Sequence, residues 1–180
     1  GIDTSDALAE ALKSGDDTTT RFPSDADLIM AFENEYKLTN LQTKGILYLM
    51  EASIRPKNSG TDILRFNAYS LEHLMPKKWR NNWDIPDTEE AQRERDRKLL
   101  TLGNLAIITQ SLNASIRDAA WVRKCEGKGK EKPGLRACST GLTTFEGVLE
   151  KDTWSEKEIG KRGERLAAEA VQVWPYPDAL

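Results

Sequence analysis

The sequence predicts an α+β domain in which a small two-stranded sheet lies among several helices. At 180 residues the chain has about the length of one domain. Apolar residues recur at helical spacing through much of the chain, whereas two short segments, 64–72 and 104–109, have the composition of strands. Charged residues make up 31% and hydrophobic residues 38%, which suits a globular protein with a buried core.

The first part of the chain is acidic. Residues 1–35 contain nine acidic residues against Lys13 and Arg21, a balance of −7, so the remainder carries +4 of the total −3. We expect residues 1–23 to form a flexible acidic lead-in and residues 24–180 to form the folded domain. Because the chain begins with neither Met nor a signal-peptide pattern, we expect it to be the C-terminal part of a longer protein.

Helices are predicted for the N-terminal third. A short one is expected near Ala7 to Lys13. Ser24 then offers an N-cap to a second helix, whose apolar residues follow at i, i+4 and i+8. Those residues are Leu28, Phe32 and Tyr36. The next helix has an apolar face made of Ile46, Leu47, Met50 and Ile54, and Pro56 with Asn58-Ser59-Gly60 ends it.

Two strands are expected in the middle of the chain. Residues 64–72 alternate roughly and contain aromatic residues, so they predict a strand that delivers His73 at its end. Asn104 to Thr109 predicts the second strand. Between them we expect a loop from Lys77 to Pro86 and an exposed, charged helix from Thr88 to Leu100.

The last third is predicted to be helical on both sides of a basic loop. Gln110 opens a helix that runs on to Trp121, and residues 126–136, rich in Lys and Gly, are expected to form a mobile surface loop. A helix is expected over residues 139–149. A capping box at Ser155 to Glu158 then opens the last helix. Its inward face is expected to contain Ile159, Leu166, Ala170 and Val173.

The only histidine of the chain follows a carboxylate, since His73 comes directly after Glu72. Asn104 lies in the second predicted strand and Asn113 in the helix after it, and a hairpin packed on a helix brings such side chains together. An imidazole can activate water as a general base, and hard oxygen ligands can hold one Mg²⁺ or Mn²⁺ ion. The set is therefore a candidate one-metal phosphodiesterase site.

Each member of this set has a proposed role and a plainer interpretation. We expect His73 to be the base, Glu72 and Asn113 to bind the metal, and Asn104 to orient the imidazole. A lone histidine after a strand is also often structural. Asn104 is compatible with a turn, and Asn113 with a helix cap.

The motifs around these residues resemble the HNH, or His-Me finger, nucleases, and more narrowly the C-terminal nuclease domain of GmrSD-type and SspE-type restriction proteins. The resemblance covers about residues 40–176, with Lys77 where many relatives carry Gln. The matching segments are Tyr69-Ser70-Leu71-Glu72-His73-Leu74-Met75-Pro76, Leu102-Gly103-Asn104-Leu105, Leu112-Asn113 with Lys124, and the set Trp154, Glu158, Ile159, Arg162 and Trp174-Pro175.

This resemblance implies a ββα-metal (His-Me finger) core embedded in a mostly helical domain. It implies a metal-dependent DNA endonuclease that nicks DNA in a restriction or anti-phage defence system of the bacterial cytoplasm. An N-terminal ParB-like NTPase or sensor domain is expected in the full-length protein. No segment approaches the roughly 18 apolar residues of a membrane helix.

Several basic residues are candidates for contact with DNA phosphates. The resemblance suggests Lys124, Arg117 and Arg123 for this role. Lys128 and Lys130 of the basic loop are added because each neutralised phosphate releases counterions and strengthens binding. The plainer interpretations are a favourable place for Lys124 near a helix C-terminus and a solvated loop.

Other functions and residues remain open at this point. The chain can instead be a DNA-binding or partner-docking module with little cleavage of its own, and RNA is an alternative substrate. The five tryptophans are expected in the core, with Trp79 and Trp83 the best candidates for base stacking. Cys125 and Cys138 are expected to be free thiols.

Overall fold

A computed structural model places a two-stranded antiparallel sheet among eight helices in the part of the chain that it describes, and the predicted α+β class is confirmed. The described residues are 4–14, 21–34, 38–57, 59–60, 62–139 and 141–176. Within them, no helix is both long enough and apolar enough to cross a membrane.

The N-terminal helices are α1 (Thr4–Lys13), α2 (Asp25–Glu33) and α3 (Asn40–Ile54). The predicted cap of α2 is confirmed. The Ser24 hydroxyl accepts from the Asp27 amide, and the Asp27 carboxylate accepts from the Ser24 amide at 3.0 Å. Such reciprocal bonds satisfy two amides that a helix start leaves free. Two residues used in the predictions, Tyr36 and Asn58, lie outside the described residues.

The sheet consists of β1 (Tyr69–His73) and β2 (Leu105–Thr109), in a register that pairs Glu72 with Ala106. The strand predicted over 64–72 is thus shorter at its start and includes His73. The reason is a 3₁₀ turn over Phe66–Ala68, which directs the chain into the sheet only at Tyr69.

Two apolar cores lie on the two faces of this sheet, because successive residues of a strand point to opposite faces. Leu105 and Ile107 belong to one core, and Ala106 and Ile108 to the other. The first core also contains Phe32, Leu47, Met50, Tyr69, Leu102 and Leu166. The second contains, among others, Leu74, Met75, Trp79, Leu112, Ile116, Trp121 and Trp154. The candidate site lies where β1 ends between these cores.

The remaining helices are α4 (Glu89–Lys98), α5 (Gln110–Ile116), α6 (Trp121–Glu126), α7 (Leu135–Cys138) and α8 (Glu156–Val173). The single helix predicted from Gln110 to Trp121 is therefore two. Arg117 separates them, since its φ of 43° and ψ of −134° cannot continue a helix.

The helix predicted over residues 139–149 is wrong, because its backbone amides bond elsewhere. The Thr143 and Thr144 amides donate to the buried carboxylate of Glu51, at 2.9 and 2.8 Å. Among the described residues of this range, the helical structure is a 3₁₀ turn over Thr143–Phe145. The capping box predicted at Ser155 is also absent, and the Glu158 carboxylate pairs instead with Lys151 and Lys161.

The basic loop is closed at its base, since Gly127 and Pro133 form an isolated β-bridge. Gly127 has a φ of +79°, and a Cβ atom there would lie 2.2 Å from the Lys132 carbonyl oxygen. Glycine is therefore needed at this position for both conformation and space. The bridge brings the lysines at the two ends of the loop close to each other.

The guanidinium of Arg162 in α8 joins three parts of the chain. It is 4% exposed and donates to the carbonyls of Leu102, Gly103 and Leu105, with the Gly103 and Leu105 bonds at 2.9 and 2.8 Å. It also donates twice to the carbonyl of Thr144. Burial, reinforced by the charge of nearby Arg165, lowers the pKa of Arg162 to about 9.

Trp79 is buried in the core, as expected for the tryptophans, so it is not available for base stacking. Its side chain is 0% exposed, and its indole nitrogen donates to the Asp96 carboxylate at 2.8 Å. Trp83 packs against the same core and is partly buried. The predicted free thiols are confirmed for both cysteines, with Cys125 buried and Cys138 exposed.

Candidate active site

Side chains from three helices cover the outer edge of β1. Because β1 pairs on one side only, alternate carbonyls of the strand face away from β2. Each of these carbonyls accepts a hydrogen bond from a different helix. The bonds are Lys44 Nζ to Tyr69 O (3.3 Å), Asn113 Nδ2 to Leu71 O (3.2 Å) and Lys124 Nζ to His73 O (2.7 Å).

Glu72 and Lys124 form a buried ion pair beside this edge. Glu72 is 6% exposed and Lys124 is 0% exposed, and the Lys124 ammonium also contacts the Glu72 carboxylate. Burial raises the pKa of Glu72 and lowers the pKa of Lys124, and the charge of each partner offsets part of the other's shift. Lys124 therefore cannot contact a DNA phosphate as predicted, because its ammonium is enclosed and already bonded.

His73 faces the opposite side of the sheet from Glu72, as alternation along a strand requires. It lines a cavity of about 170 Å³ together with Asn34, Thr43 and Lys77. Burial, with the charges of Lys77 and Lys124, lowers the pKa of His73 to about 4. The imidazole is therefore neutral near pH 7, which is the form that can accept a proton.

The Glu72 face and the His73 face of the sheet come close to each other at the end of β1. His73 is the last residue of the strand, and its Cα lies about 3.8 Å from that of Glu72. After His73 the chain turns away, held by a bond from the Leu74 amide to the Asn104 carbonyl at 3.0 Å. The structure thus groups Glu72, Asn113 and Lys124 along the edge of β1 and brings His73 to its end from the other face.

Asn104 does not act on the imidazole in the way that the sequence predicted. Its side chain is 0% exposed and all four hydrogen-bonding positions of the amide are filled. It pairs with both backbone groups of Met75 at 2.8 Å, donates to the carbonyl of Leu99 and accepts from the indole of Trp154. Asn104 therefore fixes the backbone that follows His73, and its amide has no hydrogen-bonding position left for the imidazole.

The side-chain amide of Asn113 is oriented by its bond to β1. Its nitrogen donates to the strand, so its Oδ1 points away from that carbonyl. The plainer interpretation of Asn113 as a helix cap is wrong, because the side chain of Thr109 caps α5. Asn113 is half-buried beside β1, which is a suitable place for a ligand or for a purely structural amide.

The donors present suit a hard divalent ion. The Glu72 carboxylate and the Asn113 amide oxygen are the oxygen ligands that Mg²⁺ accepts, with water and a substrate phosphate completing its shell. Within the described residues, no cluster of three or more His, Cys, Asp or Glu side chains is present. A bound ion would thus depend on this small set, and it would share the Glu72 carboxylate with Lys124.

The other predicted phosphate contacts differ in their surroundings. Arg123 donates to the Gly127 carbonyl at 3.1 Å, at the end of α6, although its side chain is exposed. Arg117 and Lys128 both line a cleft between α5 and the basic loop, whereas Lys130 is exposed near the tip of the loop.

Lys44 and Lys77 are the residues near the site that sequence reasoning missed. Lys77 stands one residue after Pro76, so its closeness to His73 in the sequence was an available signal. Lys44 lies 25 residues before its acceptor, Tyr69. No local pattern connects a lysine of α3 to the edge of β1.

Replacing Lys124 by methionine is expected to destabilise the fold by about 3–5 kcal/mol, because it leaves the Glu72 charge buried and unpaired. The double variant Lys124→Met, Glu72→Gln should recover most of that loss, since both charges are removed. Urea unfolding of the wild type, both single variants and the double variant measures the coupling. Additive effects of the two substitutions would contradict the pairing.

The family model described as GmrSD restriction endonucleases, C-terminal domain, matches residues 22–169. No curated protein matches the chain. The matched range begins just before the cap of α2 and includes both strands and every candidate site residue. The resemblance inferred from the motifs is therefore confirmed, and the chain belongs to the family of GmrSD restriction endonuclease C-terminal domains.

Proposed function

We propose that this domain is a metal-dependent DNA endonuclease of the HNH type that nicks one strand, with His73 as its general base. The observation that carries the proposal is the arrangement at the end of β1. There Glu72 and Asn113 lie along the outer edge, and the neutral imidazole of His73 approaches from the other face. Membership of a restriction endonuclease family makes DNA the substrate to test first.

The residues divide the chemistry between them. His73 would take a proton from the attacking water, at the cavity of about 170 Å³ that it lines with Asn34, Thr43 and Lys77. Glu72 and Asn113 would hold one Mg²⁺ or Mn²⁺ ion, which when bound supplies charge stabilisation at phosphorus and at the leaving oxygen. Asn104 would keep the end of β1 in place through its bonds to Met75.

The product and the setting follow from the same assignment. One site in each chain cuts one strand, so a double-strand break requires two domains or two events. In the full-length protein we place this domain after a ParB-like NTPase or sensor domain, in a bacterial cytoplasmic system of restriction or antiviral defence. That partner domain would select the DNA that is cut.

A supercoiled-plasmid assay tests the proposal. Plasmid is incubated with the domain in Mg²⁺, in Mn²⁺ or in EDTA, and the conversion to open circles is followed with time. We expect conversion with either ion and none with EDTA. Conversion that persists in EDTA would overturn the metal-dependent mechanism, and a parallel assay on RNA of the same sequence tests the choice of polymer.

One observation favours a second function, that of a DNA-binding or docking module. The charge of the Glu72 carboxylate is already balanced by the fully buried ammonium of Lys124, so the fold needs no metal ion to neutralise it. A module of this kind would bind DNA equally well with and without EDTA and would leave it uncut under every metal tested. The plasmid assay, run beside a binding assay, separates the two functions.

A further inference from the structure

A basic cleft lies beside α5. Its volume is about 520 Å³, and its walls come from α5, from residues 128–133 of the basic loop and from Cys138 of α7. Three cationic side chains, Arg117, Lys128 and Lys132, line it together with one acid, Glu131. The lining is therefore net positive in a chain whose total charge is −3.

Hydroxyl groups line the helix wall of this cleft. Ser111 and Ser115 stand four residues apart and so share one face of α5, and Thr109 precedes them. Hydroxyl, guanidinium and ammonium groups together are the donors that bind phosphate oxygens of a nucleic acid backbone. The cleft thus presents both positive charge and hydrogen-bond donors, and both favour the binding of phosphate oxygens.

The backbone at Arg117 is strained, and the strained residue lines the cleft. Its φ of 43° with a ψ of −134° is a conformation that glycine adopts easily and that side chains with a Cβ rarely adopt. Within the described residues it is the single non-glycine residue with a positive φ. A strained residue at a binding surface motivates a functional explanation for its side chain.

We propose that this cleft binds the sugar-phosphate backbone of duplex DNA next to the scissile phosphate. The inference rests on the proposed function. Ser111 and Ser115 line the cleft, whereas Asn113, two residues from each, faces β1 on the other side of the same helix, whose diameter with side chains is about 10–12 Å. One strand of B-DNA rises about 3.4 Å per phosphate, so roughly three to four phosphates of a bound strand would span the width of this helix.

The exposed thiol of Cys138 lines the cleft and provides a direct probe. Alkylation by N-ethylmaleimide is measured by mass spectrometry in EDTA, with and without a saturating 20-base-pair duplex. We expect the duplex to slow alkylation of Cys138 at least fivefold. Cys125, which is 1% exposed, should stay unmodified in both samples and reports that the fold is intact.

Affinity measured by fluorescence anisotropy in EDTA, over a range of KCl concentrations, is the second readout. The variant Lys128→Gln, Lys132→Gln should bind the duplex at least tenfold more weakly and should lower the salt slope by up to about 2. The matched control Lys157→Gln, Lys161→Gln removes the same charge from exposed positions of α8 outside the cleft. It should bind like the wild type.

Arg117→Gly separates binding from stability. The substitution relieves the strained backbone, so Tm is expected to rise by about 2–4 °C, while the loss of the guanidinium weakens DNA binding. A higher Tm with unchanged affinity for the duplex would show that the Arg117 side chain takes no part in DNA binding, and it would remove Arg117 from the proposed site.

Two further outcomes would overturn the proposal. One is a Cys138 that stays fully reactive in a complex shown to be saturated by anisotropy, and the other is absence of duplex binding at low salt. Tighter binding of duplex RNA, with protection of Cys138, would replace DNA as the occupant. Because every arm is run in EDTA, these results are independent of whether the plasmid is cut in metal.

Discussion

Replacing His73 by alanine is expected to lower the rate of plasmid nicking by roughly 10²–10⁴-fold, the usual contribution of a general base. The reason is that His73 is proposed to be the only group that takes the proton from the attacking water. His73 is the one histidine of the chain, and its lowered pKa keeps the ring neutral near pH 7. The measurement is the initial rate of open-circle formation at saturating Mg²⁺.

Folding must be shown to survive in this variant. The imidazole lines a cavity and is half-buried, so its removal should change Tm by only a few degrees. Circular dichroism and duplex binding in EDTA should match the wild type. Lys78→Gln, at an exposed position close by in the sequence, is the control and should nick normally. Undiminished nicking by His73→Ala would contradict the mechanism.

Replacing Arg162 by methionine is expected to destabilise the fold by about 2–6 kcal/mol. The carbonyls of Gly103 and Leu105 would lose the donor that Arg162 supplies in a buried region, whereas Leu102 keeps a bond from the Leu105 amide and Thr144 keeps one from Arg165. An unsatisfied buried carbonyl costs about 1–3 kcal/mol, and a domain has only about 5–15 kcal/mol in total. Guanidinium chloride unfolding, with near-UV circular dichroism, measures the loss.

Two further variants, Arg162→Lys and Lys161→Met, test whether the buried guanidinium is responsible for this loss of stability. Arg162→Lys keeps the charge, but an ammonium cannot reach all four carbonyls, so an intermediate loss is expected. Lys161→Met, at the preceding, 55% exposed position, should change stability by less than about 0.5 kcal/mol. Equal denaturation midpoints for Arg162→Met and Lys161→Met would show that the buried guanidinium does not hold these segments together.

Local signals in the sequence predicted local structure well. Ser24, as an N-cap residue, indicated the start of α2, and the charged run after Thr88 indicated α4. The helix expected over 139–149 failed for a distant reason. A carboxylate about 90 residues away, that of Glu51, takes the amides that a helix would need.

In the candidate site, too, local features could be predicted from the sequence, whereas contacts between distant residues could not. The pairing of Glu72 and His73 at a strand end was visible in the sequence. The enclosure of Lys124 was not, because its partner lies 52 residues earlier. Asn104 was recognised as important, but its four bonds go to Met75, Leu99 and Trp154, and only the folded chain shows that they fill the amide completely.

The covered edge of β1 also limits how this domain can associate with other chains. An open strand edge invites another strand to join the sheet, which is a common route to aggregation and to strand-exchanged dimers. Here Lys44, Asn113 and Lys124 occupy the carbonyls that an incoming strand would need. If two copies assemble to cut both strands of a duplex, strand pairing through this edge is blocked, and they must therefore meet through other surfaces.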